Sequence, residues 1–202
     1  MSEQDKLKWN EKYAAGAYET RAYPANFLAD KLETIKNALR ETAINAPWDG
    51  LDLACGAGRN SHFLATQGFR MDAVDISEQG LQRAAKNKLA DALPINWVCQ
   101  DLENSSAENF SRYHLILMMR YVNIPLLRAV TKNLVAGGLI ICEEHLKTDE
   151  AVIGPKNPNF RVAPGALKDA LSELNILHYS ESIITEPNGD KAAVARILAQ
   201  RS

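Results

Sequence analysis

Residues 51–77 read LDLACGAGRNSHFLATQGFRMDAVDIS. A short strand over 51–54 runs into Gly56-Ala57-Gly58, a helix follows over 59–67 until Gly68 stops it, and 69–76 reads as a second strand. Strand, glycine loop, helix and strand in that order make one βαβ unit, whose strands are parallel and joined by a right-handed crossover. Ser77 is placed to cap the next helix, with Leu81, Ala84, Ala85 and Leu89 on one face. The alternation continues with strands at 95–99 and 113–119, a helix over 124–135 ended by Gly137-Gly138, and a fifth strand at 139–142. The runs LILMM and LIIC are continuously apolar, the pattern of strands covered on both faces.

Upstream, residues 26–40 set Leu28, Leu32, Ile35 and Leu39 at helical spacing, and 46–50 (APWDG) breaks that helix. Downstream, a loop over 153–165 leads to a helix at 166–174. Strand-like runs at 176–184 and 192–198 then flank Asn188-Gly189, a hairpin signal. The expected fold is α/β, a doubly wound Rossmann-like sheet of seven strands, about five of them parallel, closing in a C-terminal antiparallel hairpin. One domain over 1–202 is expected, divided into an N-terminal helical or lid segment (1–45), a cofactor-binding core (50–145) and a C-terminal loop, helix and hairpin (146–202).

The chain has 202 residues, 46% hydrophobic and 24% charged, with a net charge of −2, so no field favours a polyanion and nucleic acid is not an expected partner. Cys55, Cys99 and Cys142 are too dispersed for a disulfide framework and lack metal-ligand spacing, which fits a reduced compartment and no metal. The opening MSEQDKLKWNEKY has no apolar signal region, and no apolar run approaches the ~20 residues of a membrane span. A cytoplasmic protein with no membrane partner is expected.

Glycines between a strand and a helix let backbone approach a ligand and leave the helix's first N–H groups facing it. Asp75 ends the second strand, 17 positions beyond Gly58, where doubly wound sheets set a carboxylate against a ribose. Dinucleotide enzymes generally carry a third loop glycine, and here that position is Ser61. No Gly-Lys-Ser or Gly-Lys-Thr follows, which excludes a P-loop. Asp52, an acid ahead of the glycines, suits a ligand bearing a sulfonium and an ammonium better than a pyrophosphate. S-adenosylmethionine (SAM) is therefore the better ligand.

The same stretch resembles motifs I and II of the class I SAM-dependent methyltransferases, and Gly58-Arg59-Asn60 is similar to the tellurite-resistance (TehB-type) and thiopurine-type small-molecule branch. The likeness runs from Trp9 to the final hairpin. It implies that Cys55, Gly56 and Gly58 line the methionine and ribose parts of SAM, with Asp52 and Asn60 completing the loop. It further implies that Asp75 holds the ribose hydroxyls, Ile76 packs on the adenine, Asp101-Leu102 meet the adenine amino group and Met119 lies near the sulfonium. The product would be S-adenosylhomocysteine (SAH).

Methyl transfer asks the protein to align a nucleophile in line at ~3–3.5 Å and to exclude water. The acceptor belongs at the carboxyl ends of the central strands, which brings Arg120, Tyr121 and Asn123, then Glu143, Glu144 and His145. Arg120 and Tyr121 are the candidate catalytic pair, one to orient an anionic acceptor and one to move a proton, with His145 as another proton acceptor. The family's base-methylating branch carries Asn or Asp, Pro-Pro and an aromatic after strand four, whereas this chain has Met119-Arg120-Tyr121-Val122-Asn123. A small acceptor is expected instead: a thiol, a selenium or tellurium oxyanion, or a hydroxyl. Two other function classes remain, a SAM-binding regulator without catalysis and an NAD(P)-dependent oxidoreductase. Trp9, Tyr13, Tyr18 and Tyr23 have two readings, an aromatic lid over the sulfonium or ordinary helix packing.

Overall fold

The computed structural model describes residues 3–19, 23–42, 46–86 and 92–202. In chain order the elements are α1 (Glu3–Ala14), α2 (Asn26–Glu41), β1 (Trp48–Leu53), α3 (Arg59–Thr66), β2 (Phe69–Asp75), α4 (Glu78–Ala85) and β3 (Ile95–Cys99). They continue with β4 (Tyr113–Met119), α5 (Ile124–Ala129), β5 (Leu134–His145), α6 (Ala166–Ala170), β6 (Asn175–Thr185) and β7 (Lys191–Gln200). One seven-stranded sheet has the order β3-β2-β1-β4-β5-β7-β6. Strands β1 to β5 pair in parallel, and β7 runs antiparallel between β5 and β6. This is the doubly wound sheet with a terminal hairpin that the sequence implied.

Successive strand residues point to opposite faces, so each buried strand feeds two cores. Leu53, Ile116, Met118, Ile140 and Ile197 meet α5 and α6 on one face. Met71, Leu115, Leu117, Ile141 and Leu198 meet α2 and α3 on the other, where Leu28, Leu32, Ile35 and Leu39 form the expected stripe. Strand order reverses between β1 and β4, and the loops leaving their carboxyl ends open the crevice where ligands bind in such sheets.

The structure corrects three boundaries. The helix expected over 124–135 ends as α5 at Ala129, a 3-10 turn covers Val130–Asn133, and β5 begins at Leu134. Gly137-Gly138 lies inside β5, where the register jumps from Tyr113↔Leu134 to Leu115↔Leu139. A Cβ on Gly138 would stand 3.0 Å from the Val135 carbonyl oxygen and 3.1 Å from that of Tyr113, so the pair serves an irregular ladder rather than a helix stop. Strand β5 also outruns the expected 139–142, because Glu143, Glu144 and His145 pair with Arg196, Ala195 and Val194 of β7. Helix α6 stops at Ala170 instead of 174. Ser77 does cap α4, accepting from the Gly80 N–H at 3.1 Å. Ala85 turns to solvent, and Leu89 lies outside the described residues.

Candidate cofactor and acceptor site

The loop after β1 is built from left-handed backbone: Ala54, Gly56 and Gly58 have φ of 60°, 59° and 74°. Alternating such residues with ordinary ones curls the chain, and the two glycines do so without Cβ strain. They face different neighbours. A Cβ on Gly56 would collide with the Tyr13 hydroxyl, on the open side of the loop. One on Gly58 would collide with the Trp97 ring and stand 3.0 Å from the Ala84 Cβ, inside the packing of β3 and α4. Gly56 thus allows close approach from the cleft, and Gly58 allows the helix–sheet contact beneath it.

Asp75 is 8% exposed at the end of β2. One carboxylate oxygen accepts the Gly56 N–H at 2.8 Å and the other accepts the Ser77 N–H at 2.8 Å. The side chain therefore clamps the glycine loop to the start of α4. Burial pushes its pKa above the ordinary carboxylate value, against the pull of these backbone donors. Each ionised oxygen accepts more than one hydrogen bond, which leaves capacity for a vicinal diol. Ile76, 6% exposed, follows directly.

Asp52 is 1% exposed beneath the loop and accepts the Ser61 hydroxyl at 2.6 Å. Burial raises its pKa to about 7, opposed by Ser61 and Arg59. Ser61, the residue in place of a third loop glycine, is thus the partner of this acid. Asn60 accepts the Ala25 N–H at 2.9 Å, which anchors the start of α2. Cys55 is buried, and desolvation raises its thiol well above the usual range. Asp101 caps the 3-10 turn Leu102–Asn104, accepting from the Glu103 N–H at 2.9 Å and the Asn104 amide at 2.7 Å. Leu102 packs its side chain in the core on the α5–α6 side, so only its backbone borders the cleft. Met119 packs on the α2–α3 side.

At the ends of β4 and β5 the side chains form two polar groups. Arg120, with φ of 63°, donates through Nε to Glu143 at 2.8 Å and through Nη2 to Glu186 at 2.9 Å, and its Nη1 lies 3.0 Å from the His145 Nε2. Arg196 completes the cluster with a 2.6 Å bond to the second Glu143 oxygen. Burial alone would raise the Glu143 pKa, but Arg120 and Arg196 more than offset it and hold it low. Arg120 therefore meets an acceptor only as part of this network.

In the second group the Tyr121 hydroxyl donates to Glu103 at 2.8 Å and receives the Asn123 amide at 3.3 Å. Burial, with Glu103 beside it, drives this phenol's pKa up. The Tyr121 N–H donates to Glu144 at 3.1 Å, and desolvation pushes that fully buried carboxyl well above its usual range. Glu103, Glu186 and Arg196 escape a reading of the sequence, since each joins the site from a distant segment. No local signal marks them.

Residues 51–138 match the family described as Methyltransferase domain. The chain is 26% identical to a probable S-adenosyl-L-methionine-dependent methyltransferase TehB of Haemophilus influenzae, over 78% of this chain and 59% of that protein. It is 30% identical to a ubiquinone biosynthesis O-methyltransferase of Caulobacter vibrioides, over 50% of this chain and 43% of that protein. It thus spans about three fifths or less of the length of these relatives. Among solved structures, TehB from H. influenzae superposes with a TM-score of 0.64 at 24% identity, over 83% of this chain and 62% of that one. Magnesium protoporphyrin IX methyltransferase from Synechocystis, solved with bound SAM, superposes with a TM-score of 0.62 at 16% identity, over 98% and 97%. Among the described residues no helix is long and apolar enough to cross a membrane, and no group of three His, Cys, Asp or Glu is set to hold a metal.

Proposed function

We propose that this chain, whose residues 51–138 match the methyltransferase domain family on a Rossmann-like sheet, binds SAM at the β1 and β2 loops and methylates a small soft acceptor. The observation that carries the reading is Asp75, buried at the end of β2 beside β1, with both oxygens fixed by loop and helix backbone. A carboxylate so held is preorganised for the two ribose hydroxyls. Gly56 offers the cradle that a Cβ would fill, and Asp52 offers a negative charge beneath a cationic ligand.

SAM supplies an electrophilic methyl on a sulfonium. The chain's own part is to orient both partners, exclude water and take a proton from the acceptor if it carries one. Tyr121, whose hydroxyl donates to Glu103, is set to relay that proton, taking it from the acceptor as its own passes to the Glu103 carboxylate. A thiol or a selenium or tellurium oxyanion fits this arrangement, and the resemblance of Gly58-Arg59-Asn60 to the tellurite-resistance branch supports the oxyanion. Unpaired thiols, one of them exposed, fit a reducing cytoplasm. A non-catalytic SAM-binding role is the second reading, because Arg120 and Tyr121 are both already engaged by protein carboxylates. Calorimetry with SAM, SAH and NADH, followed by SAH release on a panel of thiols and chalcogen oxyanions, decides. Binding of NADH in preference to SAM would overturn the proposal, and SAM binding without turnover would select the second reading.

Two predictions probe this site. Tyr121→Phe should lower kcat with SAM affinity unchanged within about threefold, the signature of a contact made in the transition state. Arg120→Ala leaves Glu143 and Glu186 without a shared cation, so it should cost about 1–3 kcal/mol in a thermal melt as well as raising the acceptor KM. Wild-type turnover in Tyr121→Phe would shift the proton acceptor to His145.

Asp52 predicts a pH dependence. Its folded pKa of about 7 lies above the ordinary 3.8, so the stability it contributes is fully present below that ordinary value and declines until the pH passes about 7. A bound sulfonium favours the ionised form and lowers that pKa again. SAM affinity should therefore rise by roughly twofold to tenfold between about pH 6 and 7.5, with proton release, where each pKa unit is a factor of ten. Asp52→Asn should flatten the profile. An equal slope in the variant would assign the titration to another group.

A further inference from the structure

We infer that α1 is the outer wall of the cofactor cleft: Tyr13 touches the bound cofactor, and Asn10 is a positioning residue that ties this wall to Asp75 through Ser77. The inference rests on the SAM reading above.

No residue of helix α1 is fully buried; its half-buried Trp9 and Tyr13 add apolar contact. It is held on α4 by polar contacts. The Asn10 Oδ1 accepts both the Ser77 hydroxyl at 2.8 Å and the Gln79 N–H at 3.2 Å. Arg83 donates to the Ala17 carbonyl at 2.8 Å, and Lys6 pairs with Glu78 at 2.7 Å on the exposed side. Exposed ion pairs contribute little, which leaves Asn10 as the side chain that registers α1 against the start of α4.

Ser77 is the shared node. Its hydroxyl donates to Asn10 and accepts the Gly80 N–H, while its own N–H donates to Asp75. The other Asp75 oxygen accepts the Gly56 N–H. An unbroken hydrogen-bonded path therefore runs from α1 to the ribose carboxylate and on to the glycine loop. Along this path Tyr13 is lowered into the cleft. A Cβ on Gly80 would stand 3.1 Å from two Tyr13 ring carbons and from the Gly56 carbonyl oxygen, so the ring lies across both glycines. Trp9 and Tyr18 flank it at centroid distances of 6.1 and 6.2 Å. The Tyr13 hydroxyl, directed at Gly56, has no hydrogen-bond partner among the described residues. Burial and the nearby Asp75 carboxylate keep it protonated, a donor facing the place of the cofactor's polar groups.

A wall with no fully buried residue can lift for entry and close on the filled site. Closure and cofactor affinity are then linked in both directions. The test combines hydrogen exchange of residues 3–19 with SAH release followed by stopped flow. SAH should slow exchange across α1. Asn10→Leu should release SAH roughly fivefold to thirtyfold faster, through loss of the two hydrogen bonds that its Oδ1 accepts. Asn10→Asp keeps the accepting oxygen and should stay within about threefold of wild type, a rescue that a merely structural role would not show. If Asn10→Leu does not fold, Tyr13→Phe carries the same test, with a loss of roughly threefold to tenfold in SAH affinity. SAH binding without protection of α1, or wild-type release in these variants, overturns the wall and leaves the cofactor site standing. A wild-type chain that binds no SAH overturns both.

Discussion

Asp75→Ala should lose SAM affinity by at least tenfold and on the order of a hundredfold. A charged acceptor contributes about 1.5–3 kcal/mol to each hydrogen bond it receives, and ~1.4 kcal/mol is tenfold in affinity. The ribose presents two such hydroxyls. The substitution also frees the Gly56 and Ser77 N–H groups, which the carboxylate holds at 2.8 Å each, so the loop and the start of α4 lose their common anchor. Part of that cost returns, because Asp75 is buried and its own desolvation is relieved. Asp75→Asn, which keeps one acceptor oxygen, should fall between alanine and wild type. Calorimetry with SAM on variants shown to be folded measures this. Affinity within twofold of wild type for Asp75→Ala would remove the ribose from this carboxylate.

The second large effect is on stability. The sequence alone leads one to expect that Gly58→Val abolishes SAM binding and leaves a folded domain, destabilised by a few kcal/mol if its φ is positive. The structure moves the consequence to the core. Gly58 holds φ of 74°, which is strained for valine, and its Cβ direction runs into the Trp97 ring and Ala84. Overpacking and backbone strain together should cost about 3–5 kcal/mol, a fall of roughly 10 °C or more in Tm for a domain of this size. Trp97→Ala in the same chain should recover part of the loss by making room, but not the part due to φ. Gly56→Ala should behave differently. Its new methyl runs directly into the Tyr13 hydroxyl, a side chain of the half-buried α1 that can shift, so SAM affinity should suffer more than the melting temperature. Equal melting of Gly58→Val and wild type would show that the loop relaxes freely.

The contrast between these two glycines marks where the sequence stops. Strand, loop, helix and strand over 51–77 follow from local rules of period, capping and turn chemistry, each satisfied within a few residues. The apolar runs at 113–119 and 139–142 announce strands buried on both faces, and Asn188-Gly189 announces the hairpin, which closes with Glu186 N–H on the Asp190 carbonyl. Asp75 was legible as a strand-end acid beside the glycine loop for the same reason, since its place follows from one βαβ unit. Gly137-Gly138 was misread because a glycine pair stops a helix and interrupts a ladder equally well. Only the pairing of Leu134 with Tyr113, across the sheet, separates the two.

The acceptor side needed the tertiary structure throughout. Arg120 looks unoccupied along the chain, yet Glu143 comes to it from β5 and Glu186 from the hairpin turn, 66 positions away. The insertion of β7 between β5 and β6 brings Arg196 onto the same carboxylate. Tyr121 finds Glu103 by the folding of the loop after β3, and Asn10 finds Ser77 across 67 positions. The sequence by itself determined which segments become strands and helices, and hence that a glycine loop faces a strand-end acid. Tertiary structure alone decided which charges are already paired, which way each glycine faces and what lies over the cleft. Those outcomes depend on groups that become neighbours only when the sheet is assembled, so no local pattern encodes them.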